Sequence, residues 1–397
     1  MAKNPLFELQ AYGQSIWFDT ISRHLVASGG LQRLIDDDAV VGVTSNPTIF
    51  EKAIAGSTDY DDDIRALAEA GHRAPPIYER LATDDVRMAC DVLRPRYDQT
   101  NHVDGRVSIE VSPLLAFNTQ ETMAEARWLR RTVDRPNLMV KIPGTHEGVP
   151  AIEQMIAEGL SINVTLLFAV SMYEQVMEAY LKGLERRVGQ GQPIDQIHSV
   201  ASFFVSRVDT MTDKEIEARI QASRLPDEQE RLRELLGKAA IANAKVAYQA
   251  FKRVFSGPRW EALKAKGANL QRPLWASTST KNPAYPDTMY IAELVGPHTV
   301  NTVPENALLA FADHGVVRGN TIEADVVGAQ RVLQRLAEFG INMRDITKHR
   351  LVDEGVTSFT DSFDKLIAEL RKKRDAIVGG THRSPSEEHS HVESSKR

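Results

Sequence analysis

Three things are nearly or wholly missing from this chain of 397 residues: it has one cysteine, no basic stripe, and no apolar stretch approaching about 18 residues. A single thiol, Cys90, excludes an intramolecular disulfide framework and fits a reducing compartment. The missing long apolar run excludes a spanning helix. The opening MAKNPLFELQAYGQSIWFD is mixed in polarity and lacks the apolar centre of a signal peptide. Net charge is −6, and with no basic cluster to follow a phosphate backbone the chain points away from nucleic acid. The expectation is a cytoplasmic protein without a membrane or nucleic-acid partner, a monomer or a small homo-oligomer. What is present is ample material for a core, 42% hydrophobic side chains against 26% charged.

Short apolar runs recur along the chain, each ending in polar residues before a helix-like segment. They are SIWFD (15–19), VVGVTSN (40–46), RVSIEVS (106–112), LMVKIP (138–143), LSINVTLLF (160–168), VASFFVSR (200–207), PLWAST (273–278) and HTVNTVP (298–304). Continuous rather than alternating hydrophobicity suits strands buried on both faces, hence a parallel sheet covered by helices. Helical spacing fills the intervals: Thr119 to Arg131, Ser171 to Arg187, and Asp213 to Phe255, the last long enough for two helices. Eight such units predict an α/β fold, a (β/α)8 TIM barrel over residues 1–378, with a doubly wound open sheet as the alternative. No Gly-x-Gly-x-x-Gly turn follows the first strand, which weakens a dinucleotide-binding version of that alternative. Extra helices are expected at the N-terminus and over Ala324 to Glu338 and Ser358 to Ile377, the last capped by Ser358 or Thr360. Residues 379–397, rich in Ser, His and charge, read as a disordered polar tail.

A barrel enzyme carries its chemistry at the C-terminal strand ends. Polar residues there are Asp19; Thr44, Ser45 and Asn46; Glu110 and Ser112; Lys141; Asn163 and Thr165; Ser202, Ser206 and Arg207; Ser277 and Thr278; Asn301 and Thr302. Singly, each has an ordinary explanation: Asp19 as a helix cap, Asn46 before Pro47 as a turn residue, Lys141 as a lysine that buries its stem and keeps its head wet. Together they place an aspartate, a glutamate and a lysine inside one ring. Unpaired buried charge costs several kcal/mol per ion, so a reactive amine is the alternative for Lys141.

Six ordered segments, WFDTISR, GVTSNPTIF, SIEVSP, NLMVKIPGT, SINVTLLF and DSFDKLI, resemble the transaldolase family in its longer bacterial branch, from about Gln10 to Ile377. The resemblance implies a class I aldolase-type barrel of the pentose phosphate pathway, moving a dihydroxyacetone unit from a ketose phosphate to an aldose phosphate. Lys141 would then form a Schiff base, and Asp19 would take the proton of the C4 hydroxyl as the C3–C4 bond breaks. Glu110 suits proton relay during imine formation, through a water held by Thr165. Asn46 and Asn163 offer amides for the dihydroxyacetone hydroxyls, assisted by Thr44 and Ser202, with Phe204 as an apolar wall. Arg207 and Ser277 are the phosphate candidates. Other branches carry an arginine soon after the strand-7 serine, whereas this chain reads ASTSTKNP, so Ser279 or Lys281 would have to serve. The scheme needs no cofactor and no metal, and the strand-end census contains no histidine.

Overall fold

The computed structural model describes residues 4–381, so the tail expected from 379 onward lies, from 382, outside the described residues. Eight parallel strands close into a barrel in sequence order. They are β1 (Gln14–Phe18), β2 (Val40–Thr44), β3 (Arg106–Glu110), β4 (Leu138–Pro143), β5 (Ile162–Leu167), β6 (Ser199–Phe204), β7 (Gln271–Ala276) and β8 (Thr299–Val303). Every residue in them is buried except Arg272, which is half-buried. That explains the unbroken hydrophobicity of the sequence runs: one side of each strand faces the barrel interior, the other the helices. No helix among the described residues is long and apolar enough to cross a membrane.

Register sets the site. Glu110 pairs with Lys141 across β3 and β4, and Lys141 with Asn163 across β4 and β5, so the three stand at one level of the barrel. Between β1 and β2 the buried indole of Trp17 lies against Gly42, where an added Cβ would sit 2.6 Å from three of its ring atoms. Gly42→Ala is therefore expected to destabilise the protein by about 1–3 kcal/mol through overpacking, read as a lower urea midpoint at unchanged slope.

Helices depart from expectation in two places. The stretch from Asp213 to Phe255 is covered by three helices, Ser206–Ala222, Pro226–Arg233 and Ala239–Val254, not two, and a fourth, Pro258–Lys264, precedes β7. Ser206 and Arg207 are the first turn of a helix rather than the end of a strand. Pro226 opens the second helix, and the left-handed Gly237 (φ 68°) lies in the turn before the third. At the C-terminus the last helix spans Leu351–Thr381, which puts Ser358 and Thr360 in its interior rather than at a cap. Its start is set upstream: Asn342 caps the short helix Met343–Asp345, accepting from the Asp345 N–H, and one π-helical turn, Ile346–Arg350, continues into it. This helix packs across Pro47–Phe50, Asp61–Glu69 and Ala74–Gln99, with Leu366 and Leu370 buried and Phe363 edge-on to Tyr78 at 5.5 Å. The packing carries Phe359 over the strand ends.

Candidate active site

Lys141 reaches the interior from β4 and is 4% exposed. Its ammonium donates to the Ser45 carbonyl at 2.9 Å and stands 3.1 Å from Glu110 Oε2. The second contact is an ion pair, poorly aligned as a hydrogen bond, and neither Glu110 oxygen has an aligned hydrogen-bond partner in the protein. Thr165 Oγ1 is likewise buried without a protein partner, on the strand beside Lys141. A buried carboxylate next to a buried amine, with one unsatisfied hydroxyl nearby, is weak evidence of a stabilising device and leaves polar groups free for a ligand or water.

Asp19 follows β1 and its backbone N–H donates to Val303 O at 2.9 Å, tying it to the end of β8. Its Oδ1 accepts from Thr44 Oγ1 at 2.6 Å, and that hydroxyl lies 2.5 Å from Thr302 Oγ1. Burial pushes the Asp19 carboxyl above the ordinary carboxylate range, against the Lys141 charge and the Thr44 hydrogen bond that pull it down. Glu110 moves the same way: burial raises it, Lys141 opposes, and Asp19 adds to the rise. Two carboxyls that resist ionisation around one amine suit acid–base work near neutrality.

A raised carboxyl has a sign for stability. The folded state binds the proton more tightly than the unfolded chain, so the contribution is full below the unfolded pKa and is lost as pH rises through the folded one. Asp19→Asn removes that titration and keeps an acceptor for Thr44. Its melting temperature is expected to exceed that of the parent at about pH 8, with the difference vanishing near pH 4. A constant difference across the range would mean that Asp19 is not held above its ordinary value.

A cavity of about 140 Å³ brings together Asp19, Thr44, Asn46, Lys141, Thr165, Ser202, Phe204, Arg207, Ser277 and Lys281, ten of the twelve site residues expected from sequence. Two stand apart from its wall. Glu110 touches Lys141 from behind. Asn163 is fully buried within the barrel, where its amide donates to Ser108 Oγ at 3.0 Å and its carbonyl accepts from Ser202 at 2.7 Å. Asn46 does double duty, since its Oδ1 caps the helix Pro47–Phe50 through the Ile49 N–H while the residue still lines the cavity. Ala276, Ser279, Thr302, Pro304 and Phe359 complete the wall.

The cationic side is built by Arg207 and Lys281. Arg207 lies over the rings of Phe204 and Phe359 at 5.5 and 5.7 Å, which fixes a planar guanidinium in place. Burial lowers its pKa, with Glu354, Glu110 and Asp19 opposing. Burial also lowers Lys281, and the charges of Arg207 and Lys52 add to the fall. Crowded, partly desolvated cations of this kind are what a dianionic group relieves. Ser277 sits between them in a left-handed conformation (φ 57°), its Oγ 2.8 Å from Ser206 Oγ.

A larger cavity, about 970 Å³, opens at the opposite end of the barrel among Gln14, Asp104, His198 and Arg272. There Arg272 is satisfied by Asp104, the Ser15 hydroxyl and the Thr299 carbonyl. Its two lysines, Lys252 and Lys264, are solvated and paired with Glu323 and Glu261. Of these two cavities, the smaller is the one lined by a buried amine, Lys141, with the carboxyls of Asp19 and Glu110 near it. Among the described residues no group of three or more His, Cys, Asp and Glu is placed to hold a metal ion.

A family model described as transaldolase/fructose-6-phosphate aldolase matches residues 16–370. The chain belongs to this family. It is 52% identical over 369 residues to a transaldolase of Acidothermus cellulolyticus, covering 93% of this chain and 96% of that protein. A transaldolase of Parafrankia sp. is 50% identical over 369 residues, 93% and 98% of the two chains. A protein of Nostoc sp. named transaldolase 2 is 48% identical over 377 residues, covering 94% and 98%. Family membership runs from β1 to near the end of the last helix, so every residue that lines the cavity lies inside the match.

Proposed function

We propose that this protein is a transaldolase: it moves a dihydroxyacetone unit from a ketose phosphate, sedoheptulose 7-phosphate or fructose 6-phosphate, to an aldose phosphate, glyceraldehyde 3-phosphate or erythrose 4-phosphate. The observation that carries this reading is the buried pair of Lys141 and Glu110 at 3.1 Å, with Asp19 on the wall of the same cavity. Lys141 gives its proton to Glu110 and attacks the C2 carbonyl. The carbinolamine loses water as Glu110 returns a proton to the departing hydroxyl through a water held by Thr165, leaving a protonated imine. Asp19 then takes the C4 hydroxyl proton, the C3–C4 bond breaks, and its electron pair neutralises the iminium as an enamine. An aldose phosphate is released. The enamine stays on Lys141 until an acceptor aldehyde enters, adds to C3 and takes back the proton from Asp19; hydrolysis then frees the new ketose.

Other residues hold the substrate through this sequence. Asn46 and Ser202 line the cavity beside Lys141 and can bond the hydroxyls of the dihydroxyacetone unit, while Asn163 orients Ser202 from within the barrel. Arg207, Ser277 and Lys281 take the phosphate, Lys281 serving where other branches have arginine. The setting would be the cytoplasmic pentose phosphate pathway. Borohydride treatment with fructose 6-phosphate, followed by peptide mass spectrometry, tests the reading: an adduct on Lys141 supports it and none there overturns it. Fructose 6-phosphate turnover should also depend on added erythrose 4-phosphate. Turnover that proceeds fully without an acceptor would make the protein an aldolase instead.

A further inference from the structure

The segment that carries Ser277, Ser279 and Lys281 runs from the end of β7 to the short helix Met289–Glu293 with no regular structure of its own. A loop of this kind pays conformational entropy for each fixed residue, and here it must hold Lys281 beside Arg207, a cation of the same sign. Something has to keep it in place. Two tyrosines, Tyr285 in this segment and Tyr290 in the short helix that follows it, reach the helix Ser206–Ala222, whose first turn bears Arg207. Tyr285 donates to Asp213 Oδ2 and Tyr290 to Asp209 Oδ2, each at 2.7 Å.

Both carboxylates are buried, and their other oxygens are also engaged. Asp213 Oδ1 accepts the Gly237 N–H at 3.0 Å and Asp209 Oδ1 the Ala240 N–H at 2.7 Å. Asp213 thus joins its own helix, the turn before Ala239–Val254 and the loop after β7, and Asp209 joins its own helix, the first turn of Ala239–Val254 and the short helix Met289–Glu293. The Tyr285 ring lies against Gly237, where a Cβ would meet it at 2.7 Å. On the near side, the Ser206 N–H donates to the carbonyl of left-handed Ser277 at 3.0 Å. Lys281 stands between these contacts, lining both the substrate cavity and a second one of about 170 Å³ walled by Asp209, Asp213, Tyr285 and Tyr290.

We propose that the Tyr285–Asp213 and Tyr290–Asp209 contacts form a clasp that positions Lys281 against Arg207, making these four residues determinants of phosphate recognition although none of them touches the substrate cavity. The inference rests on the phosphate subsite of the preceding reading. It goes beyond that reading by locating the device that substitutes for a directly placed arginine. The clasp acts on the phosphate end, because Lys141 and Glu110 are on β4 and β3 and Asp19 is tied to the end of β8, none of them hydrogen-bonded to Tyr285, Tyr290, Asp209 or Asp213.

Tyr285→Phe is the test, since it removes one hydroxyl and keeps the ring over Gly237. Inorganic phosphate binding is measured by titration calorimetry, which needs no turnover. The dissociation constant is expected to rise about tenfold, the size of one hydrogen bond to a carboxylate. Borohydride trapping of dihydroxyacetone, which has no phosphate, is expected to be unchanged. In a Lys281→Ala background the same Tyr285→Phe change should add nothing, because the group it positions is gone. Asp213→Asn keeps an oxygen for the Gly237 N–H and turns its amide N–H toward the Tyr285 hydroxyl, which can accept, so it should bind phosphate within about twofold of the parent. An unaltered phosphate constant in Tyr285→Phe, an equal loss of dihydroxyacetone trapping, or full additivity with Lys281→Ala would each overturn the clasp. Failure of the parent enzyme to trap fructose 6-phosphate on Lys141 would instead overturn the catalytic reading, leaving the phosphate measurement to judge the clasp.

Discussion

Lys141→Arg is expected to fold and to lose turnover by at least about 10⁴-fold, with no borohydride-trapped adduct. A guanidinium stays protonated throughout the working range and has no lone pair to place on a carbonyl. It does remain a cation and a donor, so the Ser45 carbonyl and the Glu110 carboxylate still have a partner. That choice matters, because a neutral, shorter side chain would leave Glu110 buried and alone, at a cost of several kcal/mol, and would confuse lost chemistry with lost stability. Circular dichroism melting separates the two. One other lysine lines the cavity, Lys281, so peptide mapping has a definite alternative to look for. An adduct on Lys281 in either protein would overturn the assignment of the nucleophile.

The barrel was legible because every strand is buried on both faces, so each appears in the sequence as an apolar run that needs no partner to be recognised. The polar residues gathered at the strand ends were legible for a related reason: a charge such as Lys141 or Glu110 stands out against such a run. Residues that reach the site from a distance gave no such signal. Phe359 lies in the middle of a long helix with ordinary helical spacing, and only tertiary packing turns it toward Arg207. The misplaced cap at Ser358 or Thr360 has the same origin, for a serine or threonine before an apolar helical stretch is a start signal only when the preceding residues are not already helical. Asn163 shows the converse. Its type and level in the barrel invite a substrate role, yet Ser108 and Ser202 occupy its amide, a side-chain pairing that no local pattern reveals.

The two carboxyls differ in what they face, and that difference predicts different failures. Asp19 lines the cavity, anchored through Thr44, whereas Glu110 lies off its wall and is ion-paired with the amine. If Asp19 takes the C4 hydroxyl proton, Asp19→Ala forms the Schiff base with fructose 6-phosphate and stops there, so that a six-carbon adduct accumulates. Glu110→Ala, by contrast, is expected to slow formation of any adduct, because the amine loses its proton acceptor and the carbinolamine its acid. Each group contributes about 10²- to 10⁴-fold to the step it serves and little to the other, so the species that builds up identifies the step. Rapid quenching into borohydride followed by intact-protein mass spectrometry reads both. A three-carbon adduct accumulating in Asp19→Ala would show that cleavage proceeds without Asp19, and the base would then have to be sought elsewhere, beginning with Glu110, the other carboxyl beside Lys141 at 3.1 Å.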